Sequence, residues 1–350
     1  MRNRVLFLLG LAAVLVACAI WRSHQSKTEA PPPTAAPQAK PSSATGSSAQ
    51  TAIYAHNLRL HQGPNFSVYV RWLRGEMART HARVSPSFDD LESFSLVIKN
   101  GVLRANLGDV SNYLNKVNQS SPLKNVVLTG GGSQIKIRGT LHKLIPLPLE
   151  LTGVLSAAPG SRVKMSITKI NVLKIPLKHL LGDFNVKVAD LFHSGQIPGI
   201  EVTNNDILFD PQALLPPPHI VGSLTQVSIK NPDFEAVYGD ASQDLQRTEE
   251  WRNFLHLTGG TINFGKLSMS PVDLIMIDIS QDAWFDLDLS RYQEQLVNGY
   301  TRVTPQAGLQ IFMPDLSQIP ASKTNQNISI EWLKNRNLPP PSSVLEKSAK

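Results

Sequence analysis

The chain has 350 residues, of which 41% are apolar and 17% charged, with a formal net charge of +7. One cysteine excludes an internal disulfide framework, and the apolar fraction is that of a chain with a core. The basic balance lacks the aromatic and basic interleaving of a nucleic-acid binder, and the export signal described next puts the chain in the wrong compartment for one, so no nucleic acid is expected as partner.

Arg2 and Arg4 precede a stretch without charge from Val5 to Trp21. That is the layout of a basic n-region followed by an apolar export segment. Its seventeen residues, at ~1.5 Å each, reach ~25 Å, near the lower limit for crossing a ~30 Å hydrocarbon core. Within it, Leu15-Val16-Ala17-Cys18 resembles the bacterial lipobox, which would make Cys18 a lipidated N-terminus, although Ala19, Ile20 and Trp21 prolong the apolar run. Residues 1–21 are therefore expected to be either a signal peptide of a lipoprotein or an uncleaved membrane anchor. Both place the rest of the chain in the cell envelope, on the extracytoplasmic, periplasmic side, since Arg2 and Arg4 stay in the cytoplasm. Residues 22–51 are rich in Pro, Ala, Ser and Gln, a composition that cannot bury enough apolar surface to offset its ordering entropy, and read as a linker. Residues 52–320 are the expected folded domain. Residues 321–350, with Pro339-Pro340-Pro341 and one weak apolar patch, read as a mostly flexible tail.

Charge divides the folded region. Residues 56–190 carry 18 Lys and Arg against 8 Asp and Glu, and residues 191–320 carry 6 against 16, so the halves are +10 and −10. Either the basic half meets anionic lipid or an acidic envelope partner, or the halves neutralise each other within one fold.

Along the domain, Phe66–Leu73 and Phe94–Leu107 read as strands, the second turning at Lys99-Asn100-Gly101, and a short helix is predicted from Gly108 to Leu114. Val126-Val127-Leu128 leads into Gly130-Gly131-Gly132, which reads as a hairpin turn rather than a phosphate loop because no Walker or Rossmann spacing accompanies it. Period-two alternation then dominates. Ile135, Ile137 and Leu141 alternate with Lys136, Arg138 and Thr140; Leu147, Leu149, Leu151 and Leu155 alternate with Pro148, Glu150 and Thr152; Val163, Met165 and Ile167 alternate with Arg162, Lys164 and Ser166. These are strands with one apolar and one polar face. After Lys169 the apolar phase slips to Ile170 and Val172, as at a bulge. Pro176 opens an expected helix whose Leu177, Leu180, Leu181, Phe184, Val188 and Leu191 fall at helical spacing. A hairpin follows, Ile200 and Val202 against Ile207 and Phe209 around Asn204-Asn205. Further strands are predicted at Val221–Ile229, Thr261–Met269, Val272–Ile279, Trp284–Leu289 and Gly308–Met313, with a short helix at Arg291–Val297.

The fold class expected is α+β and β-dominated. The chain carries no G-x-S-x-G, H-E-x-x-H or C-x-x-C motif. No enzyme, cofactor or metal is therefore expected. His56 and His61 stand five apart, which fits neither strand nor helix ligation. Asp273, Asp278, Asp282, Asp286 and Asp288 form the one acidic cluster, read as solvated strand faces and turns, with a calcium loop as the alternative.

The stretches IKIRGTLHKLIPLPLELTGVL (135–155), SRVKMSITKINVLKIPLKHLL (161–181) and IPGIEVTNNDILFDP (197–211) resemble the LmeA-like phospholipid-binding family of bacterial envelope proteins, over roughly residues 126–230. The resemblance implies a tubular lipid-binding type of fold, in which a long curved antiparallel sheet wraps a long helix. The strands after Phe254 would be an addition to it. It further implies a phospholipid or other acyl-chain ligand in an apolar groove or tunnel. Ile135, Ile137, Leu147, Leu149, Leu151, Val163, Met165, Ile167, Leu180, Leu181, Phe184 and Val188 would line that site, and Lys136, Arg138, Arg162 and Lys164 would stand near the head group. The same apolar residues equally build a filled core. In that case the protein is a non-enzymatic envelope scaffold with a basic docking surface.

Overall fold

The computed structural model describes residues 50–61, 66–117, 123–142, 146–172, 198–241, 250–280 and 282–321, all within one compact unit, Ser47–Lys350. The expected Pro176 helix, with Leu180, Leu181, Phe184 and Val188, lies outside the described residues, as does Cys18.

The described chain is β-dominated. In order it runs β1 (Thr51–His61), β2 (Ser67–Arg79), β3 (Phe94–Asn106), helix α1 (Leu107–Val117), β4 (Leu123–Gly131), β5 (Gln134–His142), β6 (Pro146–Ala158), β7 (Arg162–Val172), β8 (Ile200–Thr203) and β9 (Asp206–Phe209). There follow α2 (Pro211–Leu214), β10 (His219–Gly222), β11 (Leu224–Lys230), β12 (Asp233–Tyr238), β13 (Phe254–Gly259), β14 (Ile262–Phe264), β15 (Leu267–Met269), β16 (Val272–Asp278), β17 (Phe285–Asp288), α3 (Tyr292–Val297), β18 (Tyr300–Val303) and β19 (Leu309–Met313).

Where one antiparallel sheet was expected, the described strands form two large ones. An eleven-stranded sheet runs β11-β12-β3-β2-β1-β13-β16-β19-β18, with β10 beside β3 and β17 beside β1. It is mixed, because the β1–β17, β3–β10 and β16–β19 pairs are parallel. The second sheet, β4-β5-β6-β7-β9-β8, is antiparallel throughout and holds the alternating strands read from the sequence. The two are joined through backbone bonds exchanged by Gly132 and Ile229, 3.0 and 2.6 Å, and by Ser161 Oγ, which accepts from the Gly222 N–H at 2.9 Å. The inner faces of both sheets share one apolar core. A smaller cluster of Tyr54, Trp251, Phe254, Ile275, Ile277 and Phe312 covers the other face of the large sheet.

The three central strands change phase together. Buried positions run Ile53, Ala55 then Leu58, Leu60 in β1; Val68, Val70 then Leu73, Met77 in β2; and Leu96, Ile98 then Leu103 in β3. Asn57, at φ 48°, marks the slip in β1, and the β2–β3 register shifts between Val70 and Trp72 and again between Arg74 and Gly75. Such bulges bend a strand and sharpen its twist. Along the same line the outer partners exchange: β13 gives way to β17 beside β1, and β10 to β12 beside β3. The predicted turn at Lys99-Asn100-Gly101 is therefore a phase slip inside the continuous strand β3. Glycine is required there for close approach, since a Cβ on Gly101 would sit 2.8 Å from the Trp72 carbonyl oxygen.

The bulge expected near Lys169 is present, with Thr152 opposite Lys169 and Gly153 opposite Ile167. Val221–Ile229 divides at Ser223 into β10 and β11, and Thr261–Met269 divides into the β14–β15 hairpin. Strands β1, β12, β13 and β18 were not anticipated. β1 and β13 begin in polar surroundings, and their burial depends on partners distant in the chain.

Candidate functional site

Between the second sheet and the β3-β12-β11-β10 flank of the first lies a cavity of about 250 Å³. Its wall is aliphatic and aromatic side chains from both sheets together with Leu107, Val110, Tyr113 and Leu114 of α1. Among the described residues of the lining Arg104 is the charged one, and it is held by Glu235 through Nε at 2.8 Å and Nη2 at 2.7 Å. Tyr238 supplies the polar tip. Burial pushes its phenol up to about 12, and no described residue hydrogen-bonds its hydroxyl. The phenol of Tyr113 is likewise raised by burial.

Helix α1 is fixed as one wall by its polar residues. Asn106 Oδ1 accepts from the N–H groups of Gly108 (2.8 Å) and Asp109 (3.3 Å), satisfying donors that the first turn leaves open. Asn115 donates to the Val126 carbonyl at 2.9 Å and accepts from the Val126 N–H at 2.7 Å. Ser111 Oγ accepts from the Leu128 N–H at 3.0 Å. These bonds complete β4 where its register with β5 shifts between Lys124 and Val127, so the helix substitutes for part of a strand ladder.

Of the twelve residues expected to line the site, Ile135, Ile137, Leu151 and Val163 do line the cavity. Leu149 and Met165 are buried in the same core but do not reach the cavity, and Leu147 and Ile167 are half-buried. Leu180, Leu181, Phe184 and Val188 lie outside the described residues.

None of the four expected head-group cations borders the cavity. Arg138 donates to Glu150 at 2.6 Å with Lys136 at 3.6 Å from the same carboxylate, and the Arg138 bond leads in holding that carboxyl below its ordinary value. Arg162 meets Glu201 at 3.4 Å and Lys164 meets Asp206 at 4.0 Å. Sequence reasoning chose these residues because they alternate with the apolar ones, and alternation puts them on the opposite face of the sheet. Much of the wall went unrecognised: Phe66, Val110, Tyr113, Leu114, Phe234 and Tyr238 come from elements far apart in the chain. The helical spacing of Val110, Tyr113 and Leu114 was the one local signal.

A second, polar feature adjoins the cavity. His61, Phe66, Ser67, Asp109, Asn112, Asn115 and Lys116 bound an open groove of about 620 Å³, and Phe66 belongs to both spaces. Ser67 Oγ lies 3.0 Å from His61 Nδ1, and His61 Nε2 meets Asp286. The order Ser, His, Asp is that of a hydrolase triad. Here, however, Arg59 also holds Asp286, with Nε 2.9 Å from Oδ1 and Nη2 on Oδ2, which diminishes the charge available to polarise the imidazole. Burial alone would raise the Asp286 carboxyl, but hydrogen bonds from His61 and Arg59 outweigh it and bring it down to about 2. The four residues form a polar ladder across β2, β1 and β17.

Three of the four remaining aspartates of the acidic cluster have side-chain partners within the fold, and Asp282 is exposed. Asp278 accepts from Asn253 and from both the N–H and hydroxyl of Ser280, Asp288 from the N–H and hydroxyl of Ser290, and Asp273 lies 3.4 Å from His256. Among the described residues no group of three or more His, Cys, Asp or Glu could hold a metal ion.

Fold and cavity together define a two-sheet β protein with an apolar internal space. No protein-family model matches the chain, and no curated protein or solved structure does so either.

Proposed function

We propose that this protein holds the acyl chain of a phospholipid or related amphiphile in the cavity between its two sheets. It does so on the extracytoplasmic side of a membrane, tethered by its N-terminal segment through Cys18 or an uncleaved anchor. The observation that carries this reading is the cavity's size and lining. A space of about 250 Å³ with an aliphatic and aromatic wall lets an acyl chain bury its apolar surface at ~25 cal/mol per Å². For scale, an engineered cavity of ~150 Å³ takes up benzene. The tubular lipid-binding arrangement implied by the family resemblance belongs to the same proposal.

Charge pairing favours this reading over a scaffold with a basic docking face. Arg59–Asp286, Arg104–Glu235, Arg162–Glu201 and Lys164–Asp206 each join the basic half to the acidic half, which supports mutual neutralisation within one fold.

The test is organic extraction and mass spectrometry of lipid from the full chain, alongside Ala236→Phe. Ala236 lines the cavity at 8% exposure, and a phenyl ring there occupies the space without adding charge. Lipid recovered from the wild type and lost from a variant that still melts cooperatively is the expected result. A wild type free of lipid and of N-phenylnaphthylamine uptake overturns the proposal.

A further inference from the structure

We propose that the groove beside the cavity is the seat of the ligand's polar end, and that it selects an end of zero net charge, zwitterionic or uncharged, over an anionic one. This rests on the acyl-chain reading of the cavity and names the chemistry at its mouth.

Three observations converge. First, the two spaces share a wall. Phe66, 3% exposed, borders both, and its ring lies 5.3 Å from that of Tyr113, which lines the cavity. An amphiphile with its chain in the cavity would pass this aromatic pair before its polar end emerged.

Second, α1 separates the spaces by its own amphipathicity. Leu107, Val110, Tyr113 and Leu114 face the cavity, while Asp109, Asn112, Asn115 and Lys116 face the groove. Residues three and four apart share a helix face, so one helix presents an apolar surface to the chain and a polar one to the head.

Third, the described residues that border the groove carry no surplus of cations. Asp109 supplies an anion and Lys116 a cation, while the His61 ring is engaged by Ser67 and Asp286. The side chains of Asp109 and Asn112 make no hydrogen bond to any described residue, which leaves an acceptor and an amide facing the groove. An anionic head group needs an excess of cations, and the cations first expected to supply it, Lys136, Arg138, Arg162 and Lys164, lie on the far face of the second sheet in ion pairs. A phosphocholine or phosphoethanolamine end offers a cation to Asp109. A glycerol end offers hydroxyls to Asp109 and Asn112.

The experiment is native mass spectrometry of the full chain with an equimolar mixture of lysophosphatidylcholine, lysophosphatidylglycerol and monoacylglycerol bearing the same acyl chain. It is run on the wild type, Asn112→Lys, Asn112→Glu and the cavity-filled Ala236→Phe, whose residual signal measures lipid bound elsewhere. Asn112 is exposed and bonds to no described residue, so neither charge change disturbs the fold. In the wild type, the choline and glycerol lipids should exceed the anionic one after that subtraction. Asn112→Lys should shift the ratio toward lysophosphatidylglycerol by about fivefold, the effect of one charge at ~4 Å in water, and Asn112→Glu should shift it the other way. A wild type that prefers the anionic lipid, or a ratio unmoved by both substitutions, overturns the head-group inference while leaving the acyl-chain reading intact. Absence of uptake above the Ala236→Phe background overturns both.

Discussion

Arg104 and Glu235 face each other across the β3–β12 pair, with Nη2 2.7 Å from Oε2, and only 23% and 11% of their side chains reach solvent. They form a nearly buried ion pair beside an apolar cavity. Removing one partner of such a pair leaves an uncompensated charge, whereas neutralising both can be close to neutral. Arg104→Met should therefore destabilise the protein by about 3 kcal/mol in urea unfolding, and adding Glu235→Gln should restore a substantial part. Equal losses in the single and double variants would show that the pair acts through packing alone.

Asp315 and Asp286 predict opposite responses to pH. Burial, reinforced by repulsion from Asp278, raises the Asp315 carboxyl to about 7, although the Asp286 N–H bonds to its Oδ1. The folded state thus keeps a proton that the unfolded chain releases near 4, and stability falls as pH rises from about 4 to 7. Asp315→Asn retains the oxygen acceptor without the charge. It should raise the Tm relative to wild type more at pH 8 than at pH 5. Asp286, brought down to about 2, contributes stability that is present above pH 4 and lost as pH falls toward 2.

Asn115→Ala removes both bonds to the Val126 backbone at the irregular start of β4. Leaving a part-buried donor and acceptor without partners should cost about 2 kcal/mol. Faster amide hydrogen exchange confined to α1 and β4 would locate the effect. Exchange unchanged in β4 would mean that water replaces the asparagine there.

Gly75 lies where β2 shifts register against β3, and a Cβ on it would stand 2.2 Å from the Val97 carbonyl oxygen. Gly75→Ala should destabilise by about 2 kcal/mol or more, because backbone rather than a flexible side chain must move. A thermal melt within a degree or so of wild type would show that the phase-slip line is more compliant than its spacing implies.

A last prediction concerns the tether. If Cys18 is the lipidated N-terminus, Cys18→Ala should abolish metabolic acyl labelling and leave a precursor of higher mass. Unchanged mass and labelling would assign the segment as an uncleaved anchor.

What the sequence determined by itself were the features set by neighbours in the chain. Ile135, Ile137, Leu149, Leu151, Val163 and Met165 announced buried faces because side chains alternate across a strand whatever its partners. The hairpins at Gly130–Gly132 and Asn204-Asn205, the bulge near Lys169 and the helix after Asn106 are likewise local events of backbone conformation and capping. Tertiary structure alone decided which apolar faces meet. Phe66, Tyr113, Phe234 and Tyr238 share a cavity wall although they span more than half of the folded region, and no local pattern encodes that meeting. The same holds for β1, which took partners from β2, β13 and β17. Strand pairing draws on backbone groups that every residue carries, so composition marks the strands while long-range packing selects the pairs. The four cations expected at a head group, Lys136, Arg138, Arg162 and Lys164, do not border the cavity, and alternation explains why. It identifies cations beside apolar residues in the chain, but the pleat sends them to the opposite face, and only the fold of α1 against β4 brought polar side chains to the cavity's edge.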